Sequence, residues 1–429
     1  MMWAGTACRT ITPAAPAHLA GYAARWDKTP STWVHDELYA KALYLKNEET
    51  TLLLMSVDLC ELPQAPELQQ RIAQRTGVAH VLIAATHTHS GPYTVRTHSQ
   101  PDTFDEGWYL WACDQIETAA LEAVSNRFPA RIGAAQADVP EVGKNRRAGC
   151  TITDPAMTLL AVWDQQNTVR ALMVNYACHC TILDGNSFAV SADYPGYLYQ
   201  QLGERYPQAV VLFTNGAAGD INIGYSSDAS ALGEAMAFRS FETAEKMAGI
   251  LSDRALDLLP GITPDDNAPV AVHAFNTALP MKAHRPAADE LMKQIVEAQK
   301  AVDAANTDAQ RREASIRKIY LQSLLDTLAL AGEGDVCSVE SLLMRVGPLV
   351  MISTPTELFC EVGLALKDHV PAPLLSAVIG YAGGYVGYLP TFQAMKAGGY
   401  EAEVSPFEAE AADVFVSTAA QALEQFIHQ

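Results

Sequence analysis

Three histidines and one glutamate stand where a metal could be held. His87 and His89 lie two positions apart in "AATHTHSGP" (84–92), His179 lies in "NYACHCTIL" (175–183) and Glu357 in "STPTELFCE" (353–361). Imidazole nitrogens and carboxylate oxygens are zinc ligands, and two or three histidines with one carboxylate leave a coordination position open, as catalytic sites do. The spacing is not the His-x-x-x-His of a helical site, so the ligands must come from separate segments. In an extended chain His87 and His89 are expected to diverge unless the turn at Gly91-Pro92 brings them together. Cys178 and Cys180 flank His179, should point away from it, and read as small buried hydrophobes. His18, His80, His98, His273, His284, His369 and His428 have no accompanying motif and read as surface residues; chain polarity explains His35 equally well.

The elements that must position these residues are strand-like apolar runs, most of them closed by a Gly-, Pro- or Asn-containing turn. They cover Thr51–Asp58, Val81–Ala85, Met157–Trp163, Val169–Tyr176, Ala209–Thr214, Pro348–Ser353 and Leu374–Gly380. Their apolar residues are continuous rather than alternating, which suits strands buried on both faces. Helical patterns cover Ala65–Thr76, Phe104–Arg127, Phe238–Leu258 and Thr356–Lys367. The expected class is therefore α/β, with mixed sheet layers flanked by helices and a metal site at the strands' carboxyl ends. Past those ends come His87 and His89, His179, the loop "NGAAGD" (215–220), Glu357, and "YAGGYVGYLPT" (381–391) with Tyr385 and Tyr388. Residues 286–330 are rich in Ala, Gln, Lys, Glu and Arg and read as a helical pair broken at Asn306-Thr307-Asp308, an appendage on one domain.

Composition limits the partners. Of 429 residues, 49% are hydrophobic and 18% charged, a globular balance, and 29 basic against 49 acidic residues give a net charge of −20. Nucleic acid and anionic membrane surfaces both need local cationic excess, so neither is an expected partner. No apolar run reaches the length of a membrane span, and the start "MMWAGTACRTITPAAP" lacks a signal-peptide pattern. With eight cysteines, ordinary usage for this length, this points to a reducing cytoplasm. A homo-oligomer is compatible with the sequence.

"ATHTHSGP" resembles the signature of the neutral/alkaline (non-lysosomal) ceramidase family, whose N-terminal domain is a zinc amidase. The resemblance continues in family order through "HDELYAKALYL" (35–45), "SVDLC" (56–60), "GKNRR" (143–147), "NYACHCTIL" with "SADYPGYL" (191–198), "NGAAGDINI" (215–223), "TPTELFCEVG" (354–363) and "YLPTFQAMKAGGYEAEVS" (388–405). It implies one zinc ion per chain, with ligands on His87, His179, Glu357 and Tyr388. It also implies active-site roles for His89 and Arg146. The family's second tyrosine, twelve residues after the first, falls on Tyr400, and this favours Tyr388 over Tyr385 as the ligand. Asp193 and Asp220 occupy Gly-Asp-type positions and are expected to orient the ligands.

Three departures shape the expected activity. Asn222 stands where the family has a serine of proposed catalytic role. The chain ends soon after the tyrosine motif, without room for the family's immunoglobulin-like C-terminal domain, so one ceramidase-like domain over 1–429 is expected. No signal peptide is seen. Together these point to a zinc hydrolase acting on a C–N or related bond in a small soluble substrate rather than ceramide. Metal-activated water would attack, His89 or Tyr400 would steady the oxyanion, and Asn222 could bind a substrate group. Arg146 and Arg147 could read a substrate carboxylate, and Tyr225, Tyr381, Tyr385 and Trp26 could wall the pocket. The alternative is a zinc isomerase, epimerase or lyase acting on a sugar-like substrate through a metal-bound enediolate.

Overall fold

The structure, a computed structural model, describes residues 1–14, 16–25 and 29–427; Trp26 and His428 lie outside them. Twelve strands form two sheets. The first contains β1 (Trp3–Thr10), β2 (Tyr39–Lys46), β3 (Thr51–Val57), β4 (His80–Ala85), β5 (Phe128–Asp138), β6 (Ala156–Asp164), β7 (Val169–Tyr176) and β8 (Val210–Asn215), in the spatial order β8-β7-β6-β5-β1-β2-β3-β4. The second contains β9 (Val270–Pro280), β10 (Val336–Val346), β11 (Leu349–Ser353) and β12 (Leu375–Ile379) in chain order. Most pairings are antiparallel, but β3 with β4, β7 with β8, and β11 with β12 are parallel.

The sheets face each other across one apolar layer that joins Leu43, Leu54, Leu82 and Leu212 of the first to Met344, Met351 and Ile379 of the second. On the other face of the first sheet, helix Ala65–Thr76 packs beside β4 and Glu106–Ser125 over β1 and β2, while Tyr194–Arg205 packs beside β8 and Phe241–Leu258 against that helix and over β5 and β6. Cys360–Asp368 and Ala411–Ile427 cover the second sheet. The expected mixed α/β layering is what the chain adopts. The continuous apolar runs follow from it, because the paired strands are buried on both faces.

The parallel pairs end together. Ala85 N–H donates to Tyr381 O at 3.0 Å, Gly380 N–H to Asn215 O at 3.0 Å and Thr354 N–H to Ile379 O at 2.9 Å, so both sheets deliver their carboxyl-end loops to one place. Residues 356–359, expected to be helical, are extended instead. Glu357–Leu358 pairs with Tyr388–Leu389 in parallel, Glu357 opposite Tyr388, and the helix starts only at Cys360. The physical cause is a competing partner: Glu357 N–H donates to Gly387 O at 2.9 Å, a bond no helix offers.

The helical pair comprises Ala288–Asp303 and Asp308–Ala331, with the Thr307 hydroxyl capping the second helix by accepting Gln310 N–H. It is no bystander to the site, because Ile319, Ser323, Asp326, Thr327 and Leu330 line the central cavity.

Candidate metal centre

His87, His179 and Glu357 meet at the converging loops, and all three are buried, exposed by 1–3%. His87 Nδ1 faces Cys60 O at 2.7 Å, and His179 Nδ1 faces Ala218 O at 2.6 Å and Ile221 O at 3.1 Å. A carbonyl only accepts, so each Nδ1 carries the hydrogen and each Nε2 keeps its lone pair. Those Nε2 atoms lie 3.3 Å (His87) and 3.1 Å (His179) from Glu357 Oε2. Two donors that each bind one zinc at about 2.0–2.2 Å are separated by about this much. Two neutral imidazoles with locked tautomers and one carboxylate, aimed at a common point, fit a divalent cation.

Electrostatics agree. Burial lowers the His179 pKa to about 4, with the nearby Arg146 guanidinium acting the same way. Burial alone would raise the Glu357 carboxyl; positive charge at the Nε2 positions, as on protonated His87 and His179, holds it well below the usual carboxylate range. The Glu357 oxygens are oriented by tyrosines: Tyr385 donates to Oε1 at 2.5 Å and Tyr381 to Oε2 at 3.5 Å, while the Tyr381 ring stacks on His87 at 4.0 Å.

The expected divergence of His89 from His87 is corrected, since residues two apart along an extended chain share a face. The chain turns through a left-handed φ of 67° at His87, and the two Nε2 atoms come within 3.2 Å. His87 Nε2 has a single lone pair, so a cation bound there would take it and leave a hydrogen on His89 Nε2 free beside the centre. Burial, then His87 and His179, keep the His89 pKa well below its ordinary value, so this ring is neutral. Its ring packs edge-on to Tyr22 and lies against Gly21, whose φ is +91° and whose added Cβ would collide with the imidazole. Gly21→Ala is therefore expected to displace His89 and to lower kcat/KM by about 10²-fold, the effect of a misplacement of roughly 1 Å. Steady-state kinetics on the folded variant check this.

The other expected residues divide. Tyr388 and Tyr400 line the cavity, with ring centroids 5.8 Å apart, and burial pushes the Tyr400 phenol up to about 12. The Tyr388 oxygen accepts Arg146 Nη2–H at 3.1 Å, and the same guanidinium reaches Gly219 O and lies 3.5 Å from His179 Nε2. The carboxylate-reading role expected of Arg146 and Arg147 is corrected: Glu401 occupies both guanidiniums, at 2.7 and 3.0 Å. Asn222 is corrected too. Its Oδ1 accepts Gly224 and Tyr225 N–H and its Nδ2 donates to Tyr225 O, so the amide closes its own turn and does not line the cavity. Tyr225, bonded to Thr181 O, and Tyr381, bonded to Glu357, are buried behind the cavity wall, and of the tyrosines expected to wall the pocket Tyr385 reaches the cavity.

Asp193 and Asp220 act through backbone rather than by touching a ligand ring. Asp193, raised to about 6 by burial, accepts Ile182, Leu183 and Tyr194 N–H and pins the chain after His179. Asp220 accepts Cys360 N–H and Asn145 Nδ2–H, tying the Glu357 segment to the Arg146 segment. Gly219 lets this loop approach, since a Cβ there would strike the Glu357 carbonyl. Sequence reasoning missed Glu401 and Asn215. Glu401 sits directly after the expected Tyr400 in the short helix Tyr400–Val404, and that adjacency was its signal. Asn215 opens "NGAAGD"; it accepts Cys178 N–H and donates to Thr86 O, joining the two histidine loops.

With this geometry in hand, the chain can be compared with known proteins. A family model described as neutral/alkaline non-lysosomal ceramidase, N-terminal, matches residues 4–222, just over half of the 429. The chain belongs to this family. Neutral ceramidase A of Dictyostelium discoideum is 26% identical over 219 residues, which span 45% of this chain and 30% of that protein. The fold is that of solved ceramidase structures. A crystal structure of neutral ceramidase from Pseudomonas aeruginosa superposes with a TM-score of 0.75 at 17% identity, over 99% of this chain and 75% of that one. A ceramidase complexed with C2 gives 0.74 at 17% identity, over 99% and 76%. The ceramidase-family match stops at Asn222, yet Glu357, Tyr388 and Tyr400 lie beyond it within the region of shared fold. No helix among the described residues is long and apolar enough to cross a membrane.

Proposed function

We propose that this ceramidase-family chain is a zinc-dependent amide hydrolase, a single catalytic unit that cleaves a C–N bond in a small, water-borne substrate rather than ceramide. The observation that carries the reading is the convergence of His87 Nε2, His179 Nε2 and Glu357 Oε2 with both Nδ1 hydrogens committed to carbonyls. Family membership and the ceramidase names of the relatives support amide cleavage. A cavity of about 170 Å³, walled by the helical hairpin, supports a small substrate, because sites for larger ligands run to roughly 300–1,000 Å³. The eight unpaired cysteines suit a reducing cytoplasm.

His87, His179, Glu357 and Tyr388 would hold the zinc. When bound, zinc supplies Lewis acidity that polarises a carbonyl and makes water nucleophilic near neutral pH. The chain supplies the rest. His89 holds a proton at Nε2 beside the centre, placed to donate to a developing oxyanion or to the leaving nitrogen; a well-placed donor contributes about 3–4 kcal/mol. Arg146 donates to the Tyr388 oxygen and favours its acceptor form, and Tyr385 and Tyr381 keep the Glu357 lone pairs aimed inward. Burial excludes bulk water and strengthens each of these interactions. The enediolate alternative would use the same metal, with His89 or Tyr400 moving protons, and is prompted by Asn222 in the serine position; family membership favours amide cleavage over it.

Elemental analysis should find about one zinc per chain. A chelator should lower the melting temperature by several degrees, as loss of a ligand that binds only the folded state does. Small N-acyl amines incubated with the zinc form should release acid and amine, with label from 18O-water in the acid. Metal-free protein indifferent to chelator would sink the zinc assignment, and products of unchanged mass would sink hydrolysis.

A further inference from the structure

One ionisable group in the cavity has no part in this scheme. Glu61 lines the cavity with Cys60, His87 and Glu357, and its backbone is pinned on both sides. Cys60 O accepts His87 Nδ1–H at 2.7 Å and Glu61 O accepts the Thr94 hydroxyl at 2.9 Å. The Glu61 backbone is thereby fixed one residue from the carbonyl that orients a metal-binding imidazole. Among the described residues no lysine or arginine pairs with it, and its donor neighbour is the weak Cys60 thiol.

The rest of the cavity offers a substrate anion no free cationic side chain among the described residues. Arg146 is the one lysine or arginine among the described lining residues, and Glu401 occupies it. Across from Glu61 stands Asp326 on the helical hairpin, a second fixed acid, held by His98 and Ser99 N–H and by the Ser99 hydroxyl. The remaining polar lining is hydroxyls such as Ser227, Ser323 and Thr327. In a low-dielectric cavity an unpaired carboxylate attracts a cation and repels a carboxylate far more strongly than it would in water.

We infer that Glu61 reads a positively charged nitrogen on the substrate, so that the substrates are small amides carrying an ammonium group a few bonds from the scissile carbonyl. This rests on the metal-dependent amide hydrolase reading, and it makes Glu61 a specificity residue of that site. An acyl group ending in a carboxylate would meet both Glu61 and Asp326. A long alkyl chain would leave Glu61 desolvated and without a cationic partner.

The test separates charge reading from reaction class by using zinc-chelating probes that are not turned over. Calorimetric titration of the zinc-loaded full chain would compare 4-aminobutyrohydroxamate (cationic), butyrohydroxamate (neutral) and the monohydroxamate of succinic acid (anionic). A charge-assisted contact is expected to make the cationic probe about tenfold tighter than the neutral one, with the anionic probe weakest. Glu61→Gln should bring the cationic-to-neutral ratio close to one, and Glu61→Lys should favour the anionic probe. Circular dichroism and zinc content verify that both variants are folded and loaded. Equal binding of the three probes by the wild type, or a Glu61→Gln variant that keeps the cationic preference or weakens all three alike, would overturn the inference. Failure to hydrolyse any amide, with the charge ranking intact, would instead overturn the hydrolase reading.

Discussion

His179→Ala will empty the metal centre and abolish turnover. Bound zinc should fall from about one equivalent to near zero, and kcat/KM by on the order of 10³-fold or more, about 4 kcal/mol of lost transition-state stabilisation. The imidazole contributes one of the two nitrogens that face Glu357 Oε2, and it is locked by Ala218 O and Ile221 O. Alanine removes the donor and leaves the carboxylate, 3% exposed, facing a void. The variant's melting temperature should also become insensitive to chelator, which separates loss of metal from mere loss of packing. Metal retained at wild-type stoichiometry, with activity above a tenth of wild type, would refute the assignment. The pH dependence has a defined sign. Glu357 is held below its unfolded pKa, so its ionisation stabilises the fold above the ordinary carboxylate range. That contribution is lost as the pH falls through the depressed value.

Glu401→Ala will cost about 3–5 kcal/mol of stability, the consequence of removing one partner from a buried ion pair. Glu401 is 2% exposed and balances Arg146, whose side chain is 7% exposed, together with Arg147. Without it two guanidiniums remain in the interior with one fewer acceptor each, and Ser227 loses the oxygen to which it donates at 2.5 Å. Activity should fall as well, because Arg146 also holds the Tyr388 oxygen and Gly219 O. Glu401→Gln keeps an acceptor and should lose less. Chemical denaturation supplies the measurement, with Glu234→Ala as the comparison. Glu234 pairs with Arg312 at the surface, the two side chains being 44% and 47% exposed, and such a pair is worth at most about 1 kcal/mol. Equal losses for the two alanine variants would show that burial confers no special role on Glu401.

Much of this protein could be read along the chain because the relevant physics is local. The runs that became β3, β4, β6, β7, β8, β11 and β12 are legible because strands buried on both faces must be apolar throughout. Thr307 is legible as a helix start because a hydroxyl there satisfies an otherwise orphaned N–H. β9 and β10 are harder to read because exposed and buried residues alternate along them and polar side chains interrupt the pattern. The histidines, Glu357 and the tyrosines are legible as types at strand ends, and in family order as a set.

Tertiary structure alone decided what each residue faces. The sequence determined that the metal-binding types exist, that they follow buried strands, and that the chain resembles the ceramidase family. It could not show that Arg146 and Arg147 are spent on an acid more than 250 residues away, because an ion pair depends on distance in space and leaves no periodicity in the chain. Nor could it show that Asn222 folds back on itself, since the same amide could equally have pointed outward. The helical hairpin reads locally as an amphipathic pair, and only the packing of its second helix over the strand ends makes it a wall of the site. That His87 and His89 lie on one side is legible locally, because residues two apart in an extended chain share a face; only the folded backbone, with its left-handed φ at His87, sets their 3.2 Å approach.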